Sequence, residues 1–374
     1  MADKPIPFVD LAFKYAPLAT RFHQDLDRVL SSGSFILGEE LARFEAAVTD
    51  FTGAPHAVGV GNGTDALMLC LKAMGIGPGD EVVTSPMSYL ATASSIALCG
   101  ATAVFADVDD GLNLDPERIE DALSPRTKAI MVVHLAGIPA RIADIVDIAD
   151  RHGLAVVEDC AQAFGARLHG RSVGTFGRFG AVSFHPLKNL GTLGDGGLIL
   201  ARNPDDARWL RQARNHGHNG RDACDFWSVN SRLDELHAAF LRTQLACYPQ
   251  ELRRRRRLAA LYRAELAGAV GFPEIPDGGD PSYNWIMALV DRREELVAFL
   301  SGHGVETKVH YPLLLPSLKA AAETCRVHGD LRNARRQVAR ILSLPMAEHV
   351  SESDVLTVCG HVKAFAPATS LFPR

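Results

Sequence analysis

Short apolar runs rich in β-branched residues alternate with stretches of helical period through the first two thirds of this chain, and no other feature limits its fold as tightly. The runs cover residues 57–60, 81–84, 103–106, 129–134, 154–158, 181–184 and 197–200. Between several of them apolar residues fall three and four apart, as at Ile142, Ile145, Val146 and Ala149, which is the spacing of one buried helix face. Parallel strands need a crossover long enough to hold a helix. The alternation therefore predicts an α/β fold, with a mainly parallel seven-stranded sheet covered by helices on both faces. In such sheets ligands gather at the carboxyl ends of the strands.

At 374 residues the chain exceeds one ordinary core, so two domains are expected. A long helix is predicted from near Leu233. The texture changes after Pro249, where Arg253-Arg-Arg-Arg-Arg257 opens a further helix and a turn-rich segment follows at 272–281. A boundary near 250 divides a large α/β domain, 1–250, from a small α+β domain, 251–374. In the second part, residues 283–290 read as a strand, 294–300 as a helix and 305–310 as another strand.

With 47% hydrophobic and 22% charged residues the composition is that of an ordinary globular protein. A formal net charge of −5 supplies no bulk attraction to nucleic acid or to an anionic membrane. No apolar run approaches a bilayer span and Met1-Ala-Asp-Lys-Pro-Ile-Pro7 has no signal-like apolar core, so a cytoplasmic protein is expected. The seven cysteines are scattered without a CxxC pair, which predicts reduced thiols and neither disulfides nor a zinc site. Cys160 has the apolar setting of an inert buried thiol.

Two segments concentrate the chemistry. The run 154–158 ends in Glu158-Asp159-Cys-Ala-Gln162, a carboxylate at a strand end. Ser183-Phe-His-Pro-Leu-Lys188 follows a later strand and leads into the glycine-rich Gly194-Asp-Gly-Gly197. Such an amine and carboxylate are what a pyridoxal 5′-phosphate (PLP) enzyme requires. Lys188 would hold the cofactor aldehyde as an imine, and Asp159 would keep the pyridine nitrogen protonated so that the ring accepts electrons. Gly59-Val-Gly-Asn-Gly63-Thr64-Asp65 joins the first strand to a helix, whose leading N–H groups and Thr64 hydroxyl suit a phosphate. It lacks the third glycine of a dinucleotide fingerprint and the Gly-Lys-Ser/Thr of a Walker loop. Tyr89, after the second strand, is placed to lie against the pyridine ring, and Gln162 to donate to the cofactor's phenolic oxygen.

The series Phe35-Ile-Leu-Gly38, Gly61-Asn-Gly-Thr-Asp65, Glu158–Gln162, Gly174-Thr-Phe-Gly177, Ser183–Lys188, Gly194–Gly197, Asn230-Ser-Arg-Leu-Asp-Glu-Leu236 and His310-Tyr-Pro312 resembles the DegT/DnrJ/StrS family of nucleotide-sugar aminotransferases. The likeness runs from about residue 6 to about 360. It implies the fold of aspartate aminotransferase, fold type I of PLP enzymes, and a homodimer whose active sites are shared between subunits. It also implies transfer of an amino group from glutamate or glutamine to a keto group of a nucleotide-linked sugar, with pyridoxamine 5′-phosphate between the two halves. Carried over residue by residue, it makes Lys188 the cofactor lysine and proton shuttle and Asp159 the pyridinium partner. Gln162 sits near the phenolic oxygen and Tyr89 on the ring. Gly63, Thr64, Asp65 and Ser183 surround the phosphate, with Asn230 reaching it from the neighbouring subunit. His185, His216, Arg232, His310 and Tyr311 are substrate candidates. In a dehydratase branch histidine replaces the lysine, so Lys188 favours transamination. A sugar dehydratase, a keto-cyclitol aminotransferase and a non-catalytic PLP-binding regulator are the alternatives. The family's common His-Leu-Tyr-Gly reads His134-Leu-Ala-Gly137 here.

Three other patterns are read as decoys. Gly170-Arg-Ser-Val-Gly174 matches the GxSxG of serine hydrolases, but its surroundings read as a polar hairpin and not as a strand-to-helix elbow. His216-Gly-His218 has no third ligand at a suitable spacing, so no metal is expected. The arginines at 253–257 spread around a helix with Glu251 as a local partner, which predicts a solvated face and not a nucleic-acid patch.

Overall fold

The computed structural model describes residues 5–365, and among them eight strands form the central sheet. Their order across it is His56–Val60, Gly197–Ala201, Phe179–Ser183, Ala155–Asp159, Thr127–Val133, Glu81–Thr84, Thr102–Phe105 and Cys325–Val327. Only Gly197–Ala201 runs against its neighbours; every other pairing is parallel. Seven of the strands are those expected. The eighth, Cys325–Val327, is a correction. Three partly exposed residues with no periodicity of their own join the sheet edge through pairing with Thr102–Phe105.

Period-2 alternation divides the central strands between two cores. Met131, Val133 and Val157 pack with Leu67 and Leu71 of the helix Gly63–Ala73. Ile130, Val132 and Val156 pack with Ile142, Ile145 and Ile148 of the helix Ile142–Arg151. Burying each such side chain stabilises the fold by roughly 1.5–3 kcal/mol. The parity also decides which face each residue at the end of Ala155–Asp159 must take.

A single 31-residue helix, Glu235–Glu265, runs through Pro249 without a break, so the separate helix expected to open at Arg253 is a continuation. Proline in a helix interior forfeits a hydrogen bond at a cost of about 3 kcal/mol. Tertiary packing on both sides outweighs it. Leu241, Leu245 and Tyr248 lie against Phe44, Phe164 and Phe184, whereas Leu258, Ala259 and Tyr262 enter a second core with Ile286, Leu300 and Val355. The arginine run is also corrected. Arg253 and Arg257 are exposed, but Arg255 is 3% exposed and pairs with Glu251 at 2.9 Å and Glu348 at 3.0 Å.

In the C-terminal part Ile286–Leu289 pairs antiparallel with Ile341–Leu344, followed in sequence by the helix Arg293–Gly302. The expected strand at 305–310 does not form, because its ends bridge different partners, Val305 to Ile6 and Lys308 to Ser343. The segment around Gly170 is a hairpin of Arg167–Leu168 and Arg171–Ser172, turned by His169 and Gly170 at φ 48° and 77°. This is the two-residue turn of a hairpin, and Ser172 is buried in it. No helix among the described residues is long and apolar enough to cross a membrane.

Candidate active site

Alternation sends Glu158 and Asp159 to opposite faces of the sheet. Glu158 is fully buried and accepts the N–H groups of Gly174, Phe176 and Gly177, each at 2.7 Å. Its fourth partner is His134 Nε2 at 3.1 Å. His134 Nδ1 accepts from Ala140 N–H at 3.0 Å, which leaves the ring proton on Nε2 facing Glu158. Cys160 lies beside this pair, and burial, then the charges of Glu158 and Asp159, push its thiol far above the usual range. With both imidazole nitrogens and both carboxylate oxygens engaged, this trio is a structural knot and not a metal site.

Asp159 is 5% exposed and far less occupied. It accepts Thr92 Oγ1 at 2.9 Å and the Ala161 N–H at 3.1 Å. Burial raises its pKa, while those bonds and the charges of Lys188 and His134 pull the other way. Acceptor capacity and negative charge remain for another partner.

The helix Gly63–Ala73 starts on the same side of the sheet. Asn62 caps it, accepting Asp65 N–H at 2.9 Å, and Asn62 Nδ2 donates to Asp65 Oδ2 at 3.0 Å. Ser231 Oγ donates to Asp65 Oδ2 at 2.6 Å and accepts from Gly61 N–H at 2.9 Å, tying a distant segment to this turn. A Cβ at Gly63 would lie 2.7 Å from Ser183 Cβ, and one at Gly197 would lie 2.3 Å from Asn62 O. Glycine at these two positions lets the helix start sit directly on the strand ends. Gly63, Thr64 and Ser183 are thereby brought together, and the first N–H groups of the helix are free of intrahelical partners.

Lys188 follows Ser183 on a loop pinned from several sides. Its N–H donates to His185 O at 2.8 Å, and its carbonyl accepts Lys14 Nζ at 2.6 Å. Asn189 Nδ2 donates to Ser282 O at 3.0 Å, and Gly191 O accepts Tyr15 OH and Gln244 Nε2 at 3.2 and 2.7 Å. Burial lowers the Lys188 amine to about 8, against the pull of Asp159. An amine in that range can carry a proton both ways near neutral pH.

Gln162 is buried and oriented, accepting Ala136 N–H at 2.7 Å and donating to Tyr311 OH at 3.2 Å. The Tyr311 ring lies 5.7 Å from that of Tyr89, which is 52% exposed at the start of the helix Leu90–Leu98. His310 stacks on Trp285 with centroids 3.9 Å apart and 16° between planes, and Phe8 lies 5.6 Å away. The remaining candidates stand apart. His185 is exposed, its Nδ1 accepting Leu187 N–H at 3.3 Å. His216 and Arg232 are engaged along segment 215–232 through Val229 O and Asn215 Oδ1, and Asn230 is exposed there. Nothing in the local sequence marks Lys14 or Trp285 as part of the site. Thr92 carried a usable signal, since it follows Tyr89 by three residues at the opening of a helix.

This constellation fits PLP: an amine tuned by burial, a buried carboxylate with spare capacity, an oriented amide donor, and a glycine-bearing helix start for a phosphate. On this sheet it defines a PLP-dependent aminotransferase of fold type I. Residues 18–363 match the model of the DegT/DnrJ/EryC1/StrS aminotransferase family. The chain is 40% identical over 369 residues to dTDP-3-amino-3,4,6-trideoxy-alpha-D-glucose transaminase of Streptomyces venezuelae, covering 98% of this chain and 97% of that protein. It is also 40% identical to UDP-N-acetyl-3-dehydro-alpha-D-glucosamine 3-aminotransferase of Acidithiobacillus ferrooxidans, over 94% of this chain and 96% of the other. The crystal structure of S. venezuelae DesV in complex with a ketimine intermediate superposes with a TM-score of 0.94 at 39% identity, covering 98% of this chain and 99% of that one. The chain belongs to the DegT/DnrJ/EryC1/StrS aminotransferase family.

Proposed function

We propose that this aminotransferase transfers an amino group from L-glutamate or L-glutamine to a keto group of a nucleotide-linked sugar. The observation that carries the reading is a Lys188 amine lowered by burial within the electrostatic reach of the buried, underoccupied Asp159. Relatives over nearly the whole chain act on dTDP- and UDP-linked sugars by their names, which supports the substrate class. Retention of Lys188 speaks against a dehydratase and against a regulator without turnover.

PLP, when bound, supplies an electron-drawing ring that stabilises negative charge on the amine-bearing carbon. The chain's own residues do the rest. The Lys188 Nζ would anchor the cofactor and, once freed, would carry a proton between the amine-bearing carbon and the cofactor carbon that bore the aldehyde, a task suited to an amine near 8. Asp159, held by Thr92 and Ala161, supplies the counter-charge for a protonated ring nitrogen. Thr64, Ser183 and the helix start between Gly63 and Asp65 would hold the phosphate, Gln162 would donate to the phenolic oxygen, and Tyr89 would cover the ring. His310 and Tyr311, beside Lys188, Gln162 and Tyr89, would form the substrate side, while His185, His216 and Arg232 stand apart from it within this subunit.

We further propose a homodimer in which Asn230 reaches the neighbouring subunit's phosphate. Exposed Leu30, Phe35 and Ile36, at 57%, 53% and 47%, offer apolar surface for such contact. The division into domains 1–250 and 251–374 then falls within the long helix, between its two cores. Unpaired thiols suit a reducing compartment, and we place the enzyme in the cytoplasm.

The test is a half-reaction. PLP-loaded protein given glutamate should release one 2-oxoglutarate per site as the visible absorption band is lost. A keto-sugar nucleotide should then restore the band. Absence of 2-oxoglutarate and of glutamine turnover would overturn the reading, and restoration by a keto-cyclitol alone would move the substrate class.

A further inference from the structure

We infer that Ser343 is a positioning residue whose hydroxyl donates to Nδ1 of His310, fixing the tautomer with its proton on Nε2, so that His310 meets a substrate oxygen as a neutral hydrogen-bond donor. The inference rests on the proposed function only in placing His310 at the substrate site.

Ser343 lies in the strand Ile341–Leu344 and is 1% exposed, with Oγ 3.0 Å from His310 Nδ1. Two proton arrangements fit that distance. Either the serine donates to a bare Nδ1, or a protonated Nδ1 donates to the serine. In the second case the hydroxyl proton is buried with no acceptor, because Ser343 Oγ has no other partner among the described residues. The backbone of Ser343 is already paired with Lys308, N–H to O at 2.8 Å and O from N–H at 3.2 Å. Leaving a buried donor unmade disfavours an arrangement by roughly tenfold or more. The first arrangement satisfies both groups.

The ring cannot readily turn to exchange its nitrogens. Trp285 covers one face at 3.9 Å, Phe8 approaches at 5.6 Å, and Tyr311 meets it edge-on at 5.6 Å and 88°. Nε2 has no partner among the described residues. His310 and Lys188 line one cavity of about 260 Å³, together with Lys14, Arg255, Lys308 and Glu348. Burial, then the charges of Lys188 and Lys308, lower the imidazole to about 4, so it stays neutral at working pH. His310 is thus the wrong group to take up a proton, which leaves that task to Lys188.

The test uses PLP-loaded enzyme with ¹⁵N-labelled histidine, the His310 resonances being identified by their loss in His310→Gln. Wild type and Ser343→Thr should both carry the proton on Nε2, whereas Ser343→Ala should show a mixture. The glutamate half-reaction should slow about tenfold in Ser343→Ala and recover to within about threefold in Ser343→Thr. A proton on Nδ1 in wild type would overturn the inference. So would a Ser343→Ala variant unchanged in either its spectrum or its rate. If wild type fails to turn over glutamate or glutamine, the proposed function falls, while the resonance measurement still decides the tautomer.

Discussion

Asp159, buried, and Glu348, partly buried, are carboxylates tied to the surroundings of Lys188, and they are treated differently. Glu348 meets Arg255 Nη2 at 3.0 Å and lies 3.9 Å from Lys14 Nζ. Burial opposes its charge, yet those two cations hold it at about 2. Lys14, itself lowered to about 8 mainly by burial, passes the restraint on through its bond to the Lys188 carbonyl. Asp159 has one hydroxyl and one N–H, and its pKa is raised. A carboxylate matched by cations fixes the loop; one left short of partners is available for chemistry. Glu158, one residue away with four donors, belongs with Glu348 in this respect.

The sharpest way to break this contrast is Lys188→Ala. It should leave the fold intact by circular dichroism and reduce transamination by about 10³-fold or more. Comparable activity would remove Lys188 from the reaction. Asp159→Asn keeps the shape and deletes the charge, and should lower the rate on the order of 10²-fold with little change in unfolding midpoint. A large loss of stability with normal turnover would place Asp159 in the structural class instead.

Glu348→Gln should do the reverse. It removes one of the two carboxylates that face Arg255, leaving Glu251, and should destabilise the protein by about 2 kcal/mol at neutral pH, read by denaturant unfolding. Because the folded pKa of Glu348 lies below its ordinary 4.5, its contribution is complete above that pH and is lost as pH falls toward 2. That part of the acid limb should be missing in the variant. Equal stability of the two proteins at neutral pH would remove Glu348 from the structural class. The smallest effect is expected from Gly63→Ala, whose new Cβ crowds Ser183. PLP affinity, followed by absorbance titration, should fall roughly tenfold, and unchanged affinity would detach this turn from the cofactor.

Much of this site is legible in the chain because its main parts are local. A strand-end Asp-Cys-Ala-Gln, a Ser-to-Lys loop and a glycine turn each announce themselves within a few residues, and a parallel sheet collects them at one edge. What the chain hides is set by contacts far apart in sequence. Lys14 binds Lys188 O, and Ser343 binds His310, with nothing in their own neighbourhoods to mark them. The arginine run looks solvated until Glu348, 93 residues beyond Arg255, is seen to meet it. Pro249 looks like an end until packing on both sides overrides its local cost. The strand Cys325–Val327 draws its order from the sheet edge it joins, so no pattern of its own could show it.

The most direct test of the division between structural and chemical charge is the fate of the Lys188 amine. PLP-loaded native protein should be reduced with borohydride, digested and mapped by mass spectrometry. The cofactor mass should be found on the peptide containing Lys188 and be absent from that of Lys14, which burial also lowers. Modification at Lys14, or at no lysine while the cofactor remains bound, would contradict the account.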